Sequence, residues 1–202
     1  MKLFILGATG GTGRELVEQG LARGHTITAL VRSPEKLTPC EKLTIIPGDP
    51  RNTADLRRTL PGHDAVLTAL GGGIGRSTIC ADAARSTVAA MKATGVRRLV
   101  AVSAAVLFRN EGLVVWIARG TFLRNVVADC GAMDAIFSGS DLDWTIVRPP
   151  RLTNDAPSGK YTLANGHLPP GRRVVSRADV AHLVLDELER ETHLRTILGM
   201  TG

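Results

Sequence analysis

An α/β fold, doubly wound around a mainly parallel sheet, is what this sequence predicts, and three observations predict it. Short runs rich in β-branched residues alternate with longer helical patterns along the whole chain, the succession that parallel strands and crossover helices produce. The strand candidates are apolar almost without interruption, as strands covered on both faces must be. Finally, 202 residues at 44% hydrophobic and 22% charged suit one folded domain spanning 1–202, not a disordered chain.

Strands are expected at Lys2–Leu6, Thr26–Val31, Leu43–Pro47, Ala65–Leu70, Leu99–Ser103 and Trp144–Val147. Turn chemistry closes the first four: Gly7, Ser33-Pro34, Gly48-Asp49 and the run Gly71-Gly72-Gly73. Ser103 closes the fifth. Between them, helices are expected near Thr12–Arg23, Thr53–Leu60, Ala81–Thr94 and Thr121–Phe137. A last helix over Ala178–Arg190 follows Ser176, whose hydroxyl suits an N-cap. Aromatic residues make up only 3% of the chain and Tyr161 is its one tyrosine, so aliphatic side chains must carry the core. The segment 151–173, dense in Pro, Gly and Asn, reads as a small irregular substrate lobe within the same domain.

A formal charge of +6 admits three kinds of anionic partner: nucleic acid, lipid headgroups or a small molecule. The basic residues are scattered, with only doublets such as Arg57-Arg58, Arg97-Arg98 and Arg172-Arg173, and no basic-aromatic alternation; this argues against nucleic acid. The most apolar later stretch, Leu113–Ala118, is far below the roughly 20 residues of a membrane helix, and Leu3–Leu6 is too short for a signal sequence. A cytoplasmic protein, with a monomer favoured, is the expectation. Cys40, Cys80 and Cys130 form no CxxC pair, and His25, His63, His167, His182 and His193 have no ligand spacing, so no metal is expected.

The strongest chemical signal is Gly7-Ala8-Thr9-Gly10-Gly11-Thr12-Gly13, directly after the first strand and opening a helix. Glycines let the backbone approach a diphosphate, and the following helix start supplies free N–H groups and a positive dipole. With spacing G-x-x-G-x-x-G in that context, the motif marks a Rossmann dinucleotide site formed by Gly7, Thr9, Gly10, Gly11, Thr12 and Gly13. At the end of the second strand, where NAD-binding domains carry an acid, stands Arg32-Ser33. A guanidinium there pairs with a 2′-phosphate that a carboxylate would repel, so the expected cofactor is NADP(H). Glu35 lies three residues too late to be the expected acid, though a bent loop could still bring it round. Asp49 and the run Leu70-Gly71-Gly72 end the third and fourth strands, at the sheet edge where such folds bind ligands.

Together with Val31-Arg32, Gly48-Asp49, Ala65-Val66-Leu67, Val88–Ala93, Ser103-Ala104, Arg148-Pro149-Pro150, Gly159–Thr162 and Arg173–Val180, the glycine run resembles the atypical short-chain dehydrogenase/reductases. The likeness covers almost the whole chain and is greatest to the biliverdin-IXβ reductase/flavin reductase group. It implies a catalytic and cofactor contact at Ser103 beside the nicotinamide, with Pro149 among the cofactor-binding residues. Read on its own, Ser103 could instead be a strand-ending serine bonded to its own backbone. Phe108 and Trp116 suit the wall of a flat acceptor's site, and equally suit core anchors. Arg151 stands where that group has histidine, and could grip an acceptor's phosphate or propionate or lie in solvent. The Tyr-x-x-x-Lys pair of typical members is absent, since Thr162, Leu163, Ala164 and Asn165 follow Tyr161. The resemblance therefore implies an NADPH-dependent reductase of a flat conjugated acceptor (flavin, bilin or quinone) that needs no such proton donor. The alternative is a non-catalytic NADP(H)-binding redox sensor.

Overall fold

The computed structural model describes residues 1–73, 75–108, 117, 119–121 and 123–202. Its chain runs β1 (Lys2–Leu6), α1 (Gly11–Ala22), β2 (Thr26–Val31), β3 (Leu43–Pro47), α2 (Thr53–Thr59), β4 (Ala65–Thr68), α3 (Ile79–Thr94), β5 (Arg98–Val102), α4 (Arg124–Ser138), β6 (Asp143–Arg148), β7 (Arg151–Thr153), β8 (Thr162–Asn165), β9 (Val174–Ser176), α5 (Arg177–Arg190) and β10 (Thr196–Thr201). Eight strands form the main sheet in the order β3-β2-β1-β4-β5-β6-β10-β8, and β7 pairs with β9 in a small second sheet. All main-sheet pairings are parallel except β10 with β8. The expected doubly wound fold is present.

Period-two alternation explains how one sheet supports two cores. Leu3 and Ile5 of β1 enter a core with Leu16 and Val17 of α1 and Val180 and Val184 of α5. Phe4 and Leu6, pointing the other way, enter a second core with Leu56 of α2, Met91 of α3 and Phe137 of α4. All four β1 side chains are at most 1% exposed, which is why the strand reads as an unbroken apolar run.

Strands β7, β8, β9 and β10 lay outside the sequence expectation. β10 was not foreseen; it lies parallel to β6 and antiparallel to β8. Its interior Gly199 weakens the local strand signal, yet a Cβ there would stand 2.8 Å from the His167 carbonyl carbon. The glycine is needed because another stretch of backbone lies across the strand. The 151–173 segment is largely loop, as its composition predicts, but contributes β7 and β8. Elsewhere β4 stops at Thr68, two residues before the expected Leu70. Ser176 caps α5 as expected, its side chain accepting from Asp179 N at 2.9 Å.

From β1 the chain steps to β2 on one side, while β4 and β5 fill the other. A sheet that reverses direction in this way opens a crevice at the strands' carboxyl ends, here beyond Leu6, Thr68 and Val102. No helix among the described residues is long and apolar enough to cross a membrane.

Candidate functional site

The glycine loop packs between β1 and α1 so closely that side chains would not fit at Gly7 or Gly13. Gly7 has φ +84°, and a Cβ on it would stand 2.7 Å from the Ala69 carbonyl. A Cβ on Gly13 would run into the Gly7 carbonyl oxygen. Gly10 N donates to Gly7 O at 3.0 Å, and Arg14 N donates to Gly10 O at 2.9 Å as α1 begins. No side chain caps that start and no acid stands in its first turn, so its leading N–H groups remain for a ligand. Thr9 is half-buried and Thr12 buried.

Thr12, Leu70, Gly71, Gly72 and Ser103 line one crevice of about 570 Å³, a size suited to a small-molecule site. Arg32 is exposed just past β2. Ser33 leads into a single 3-10 turn, and its hydroxyl makes no capping bond there. Glu35 is exposed on that turn. Asp49 stands in a neighbouring open depression, where Arg51 Nε and Nη2 donate to its two oxygens at 3.0 and 2.6 Å. That bond, helped by the charges of Arg51 and Arg32, holds the Asp49 carboxyl below its ordinary range. Asp49 is therefore already engaged, while still near enough to Arg32 to feel it.

The far side of the crevice depends on residues the sequence reading did not connect. Ser103 Oγ donates to Asp134 Oδ2 at 3.0 Å, so it is not bonded to its own backbone. Arg148 Nε and Nη2 both reach the same oxygen at 2.9 Å. Asp134 Oδ1 is buried and has no hydrogen-bond partner among the described residues. Burial pushes the Asp134 carboxyl up, with the Arg148 charge and the Ser103 bond opposing it. Five residues earlier on α4, Asp129 accepts from Cys80 N at 3.2 Å and Ala81 N at 2.9 Å, capping α3 from a neighbouring helix. Asp129 and Cys130 also line the crevice. The only sequence sign of these carboxylates was acid within a mainly apolar helix.

Other expected residues are less central. Phe108 is 5% exposed, and the Arg148 guanidinium carbon lies 4.9 Å from its ring centre. It supports the Ser103 network from within the protein and is not among the crevice-lining residues; the core-anchor reading fits it. Trp116 lies outside the described residues. Pro149 is buried, its carbonyl accepting from Ala105 N at 2.8 Å. Arg151 is exposed on β7, while its neighbour Leu152 lines the crevice; strand alternation turns the arginine the other way. Tyr161 Oη pairs with His182 Nδ1 at 3.0 Å, away from the crevice. Arg177, not singled out by sequence, lies on the crevice wall. No metal-binding cluster occurs among the described residues.

Residues 7–191 match the model of a family described as NAD(P)H-binding. The uncharacterized protein YwnB of Bacillus subtilis is 27% identical over 205 residues, covering 96% of this chain and 94% of its own. An uncharacterized sugar epimerase of the same organism, YhfK, is 28% identical over 203 residues, with coverages of 95% and 89%. Among solved structures, a wide-type short-chain dehydrogenase/reductase of Veillonella parvula in complex with NADP superposes with TM-score 0.85 at 23% identity, covering 100% of this chain and 94% of that one. A candidate NADH-flavin reductase of Streptococcus pneumoniae gives 0.81 at 22% identity, with coverages of 100% and 99%.

Proposed function

The chain belongs to the NAD(P)H-binding family, and from that premise we propose that it is an NADPH-dependent reductase of a flat conjugated acceptor, a flavin, bilin or quinone. The observation that carries this reading is the crevice at the sheet's reversal, with the Ser103 oxygen fixed at its edge and no Tyr/Lys proton donor beside it. The residues present fit the cofactor: a loop with no room for a Cβ at Gly7 or Gly13 leads into an uncapped helix start.

NADPH, when bound, supplies the hydride. The Gly7–Gly13 backbone and the start of α1 bind its diphosphate. Arg32 and the free hydroxyl of Ser33 bind the 2′-phosphate, which is the basis for preferring NADPH over NADH. The hydrogen of Ser103 is committed to Asp134, so the hydroxyl oxygen is left as an acceptor, suited to an amide N–H of the nicotinamide carboxamide. Leu70 and Leu152 give the crevice apolar walls against which a planar ring system can stack and exclude water. Catalysis is then mostly alignment of acceptor and nicotinamide.

A conjugated acceptor suits this site because its reduced anion takes a proton from water. Epimerisation, the activity in the name of one relative, requires a base at the reacting carbon. Tyr161, the chain's one tyrosine, is instead engaged by His182 outside the crevice. Phe108, which would have to occupy the crevice to block an acceptor, packs under Arg148. The test is NADPH oxidation, with matched NADH controls, against riboflavin, FMN, a bilin and a small quinone. Turnover of one acceptor, faster with NADPH, is the expected result. Tight NADPH binding without turnover of any would replace the reductase with a redox sensor.

A further inference from the structure

Arg177 is the first residue of α5, directly after the N-cap Ser176. A cation is poorly placed there, because a helix start carries roughly half a positive charge. Its side chain then extends to a second helix start: Cδ and Nε lie 2.6 Å from where a Cβ on Gly11, the first residue of α1, would stand. Two helix starts and a guanidinium thus converge on the crevice wall that Arg177 shares with Thr12. Nearby carboxylates are spent elsewhere. Asp179 accepts from Ser158, Gly159 and Ser176, and Asp129 accepts from the start of α3. Arg177 Nη1 donates to the neutral Asn154 Oδ1 at 2.6 Å, and among the described residues Arg177 has no ion pair. A guanidinium has five N–H donors, most of them here without an assigned acceptor.

We propose that Arg177 is a ligand of the cofactor's diphosphate, sharing that anion with the N–H groups of the glycine loop. This rests on the cofactor reading above and adds to it a residue far from the glycine motif in sequence. It gives a reason for a cation at two helix starts, since an anion held between them turns the repulsion into attraction. It also gives Gly11 a reason distinct from the tight turn: any larger residue would push the arginine off the loop.

The test measures binding, by calorimetry, of NADPH, ADP-ribose and adenosine 2′-monophosphate to wild type, Arg177→Gln and Arg177→Lys. ADP-ribose keeps the diphosphate and lacks the 2′-phosphate; adenosine 2′-monophosphate does the reverse. Arg177→Gln should weaken NADPH and ADP-ribose by roughly 10- to 100-fold, the size of a lost charge-assisted contact, and change adenosine 2′-monophosphate by less than about twofold. Arg177→Lys should recover part of the loss, since it keeps the charge without the planar fork. Without ligand, Arg177→Gln should melt no lower than wild type, because a cation has left a helix start. Equal losses for all three ligands, or no loss for ADP-ribose, would overturn the proposal. Wild type that binds neither NADPH nor ADP-ribose would overturn the cofactor reading itself, and Arg177's part with it.

Discussion

The two sides of the crevice are built in opposite ways. The glycine side is continuous in sequence: β1, the Gly7–Gly13 loop and α1 follow one another without a break, and backbone geometry determines the shape. The Ser103 side joins distant points, with Ser103 after β5, Asp134 on α4 and Arg148 at the end of β6 meeting on one carboxylate oxygen. Crowding enforces the first side, because a side chain would meet backbone that cannot move. Charge enforces the second, because Asp134 and Arg148, with side chains only 5% and 14% exposed, must neutralise each other out of water. A steric device tolerates no added atom, whereas an electrostatic one tolerates changes of shape but not loss of a partner.

That contrast can be broken experimentally, starting on the glycine side. Gly13→Ala places a Cβ into the Gly7 carbonyl oxygen and should cost about 3 kcal/mol or more of stability, with NADPH binding lost; thermal unfolding and titration together check this. A variant that folds and binds normally would show that the loop can relax.

Asp134→Asn keeps the shape and removes the charge, leaving Arg148 buried without its counterion. The expected loss is about 3 kcal/mol, at the lower end for a broken buried pair, because Arg148 retains some exposure.

Arg32→Asp sharpens the comparison at the exposed end of the site. It should weaken NADPH by roughly 10- to 100-fold, as a lost phosphate contact does, and leave NADH much less affected. Equal losses for the two cofactors would remove Arg32 from 2′-phosphate recognition.

The smallest effect is expected at Ser103. Ser103→Ala leaves Arg148 on Asp134 and should slow turnover by about tenfold, the value of one hydrogen bond at the reacting centre, with NADPH affinity little changed. An unaltered rate on an acceptor that wild type reduces would place Ser103 outside the chemistry.

Local signals were legible in the sequence. Unbroken apolar runs marked the first six strands because both sheet faces are covered, and turn residues marked where β1, β2 and β3 stop. Gly7–Gly13 stood out because close backbone approach leaves a mark in residue type. Arg32 stood out because it is a basic residue at a strand end where a NAD-binding domain carries an acid. β10 escaped because Gly199 answers to the His167 backbone lying across it, a contact no local pattern records.

The sequence by itself determined the doubly wound α/β class, the glycine-rich loop between β1 and α1 and the basic residue at the end of β2, since propensity, periodicity and glycine spacing act over a few neighbouring residues. Only the tertiary structure decided that Ser103 is bonded to Asp134, that Phe108 lies under Arg148, that Arg151 faces away from the crevice while Leu152 lines it, and that Arg177 reaches the glycine loop. Those pairings join parts of the chain up to 166 residues apart, Gly11 to Arg177. They form because folding brings together groups that are distant in sequence, and the Asp134–Arg148 ion pair on which Ser103 and Phe108 rest is held by the need of a buried charge for a counterion.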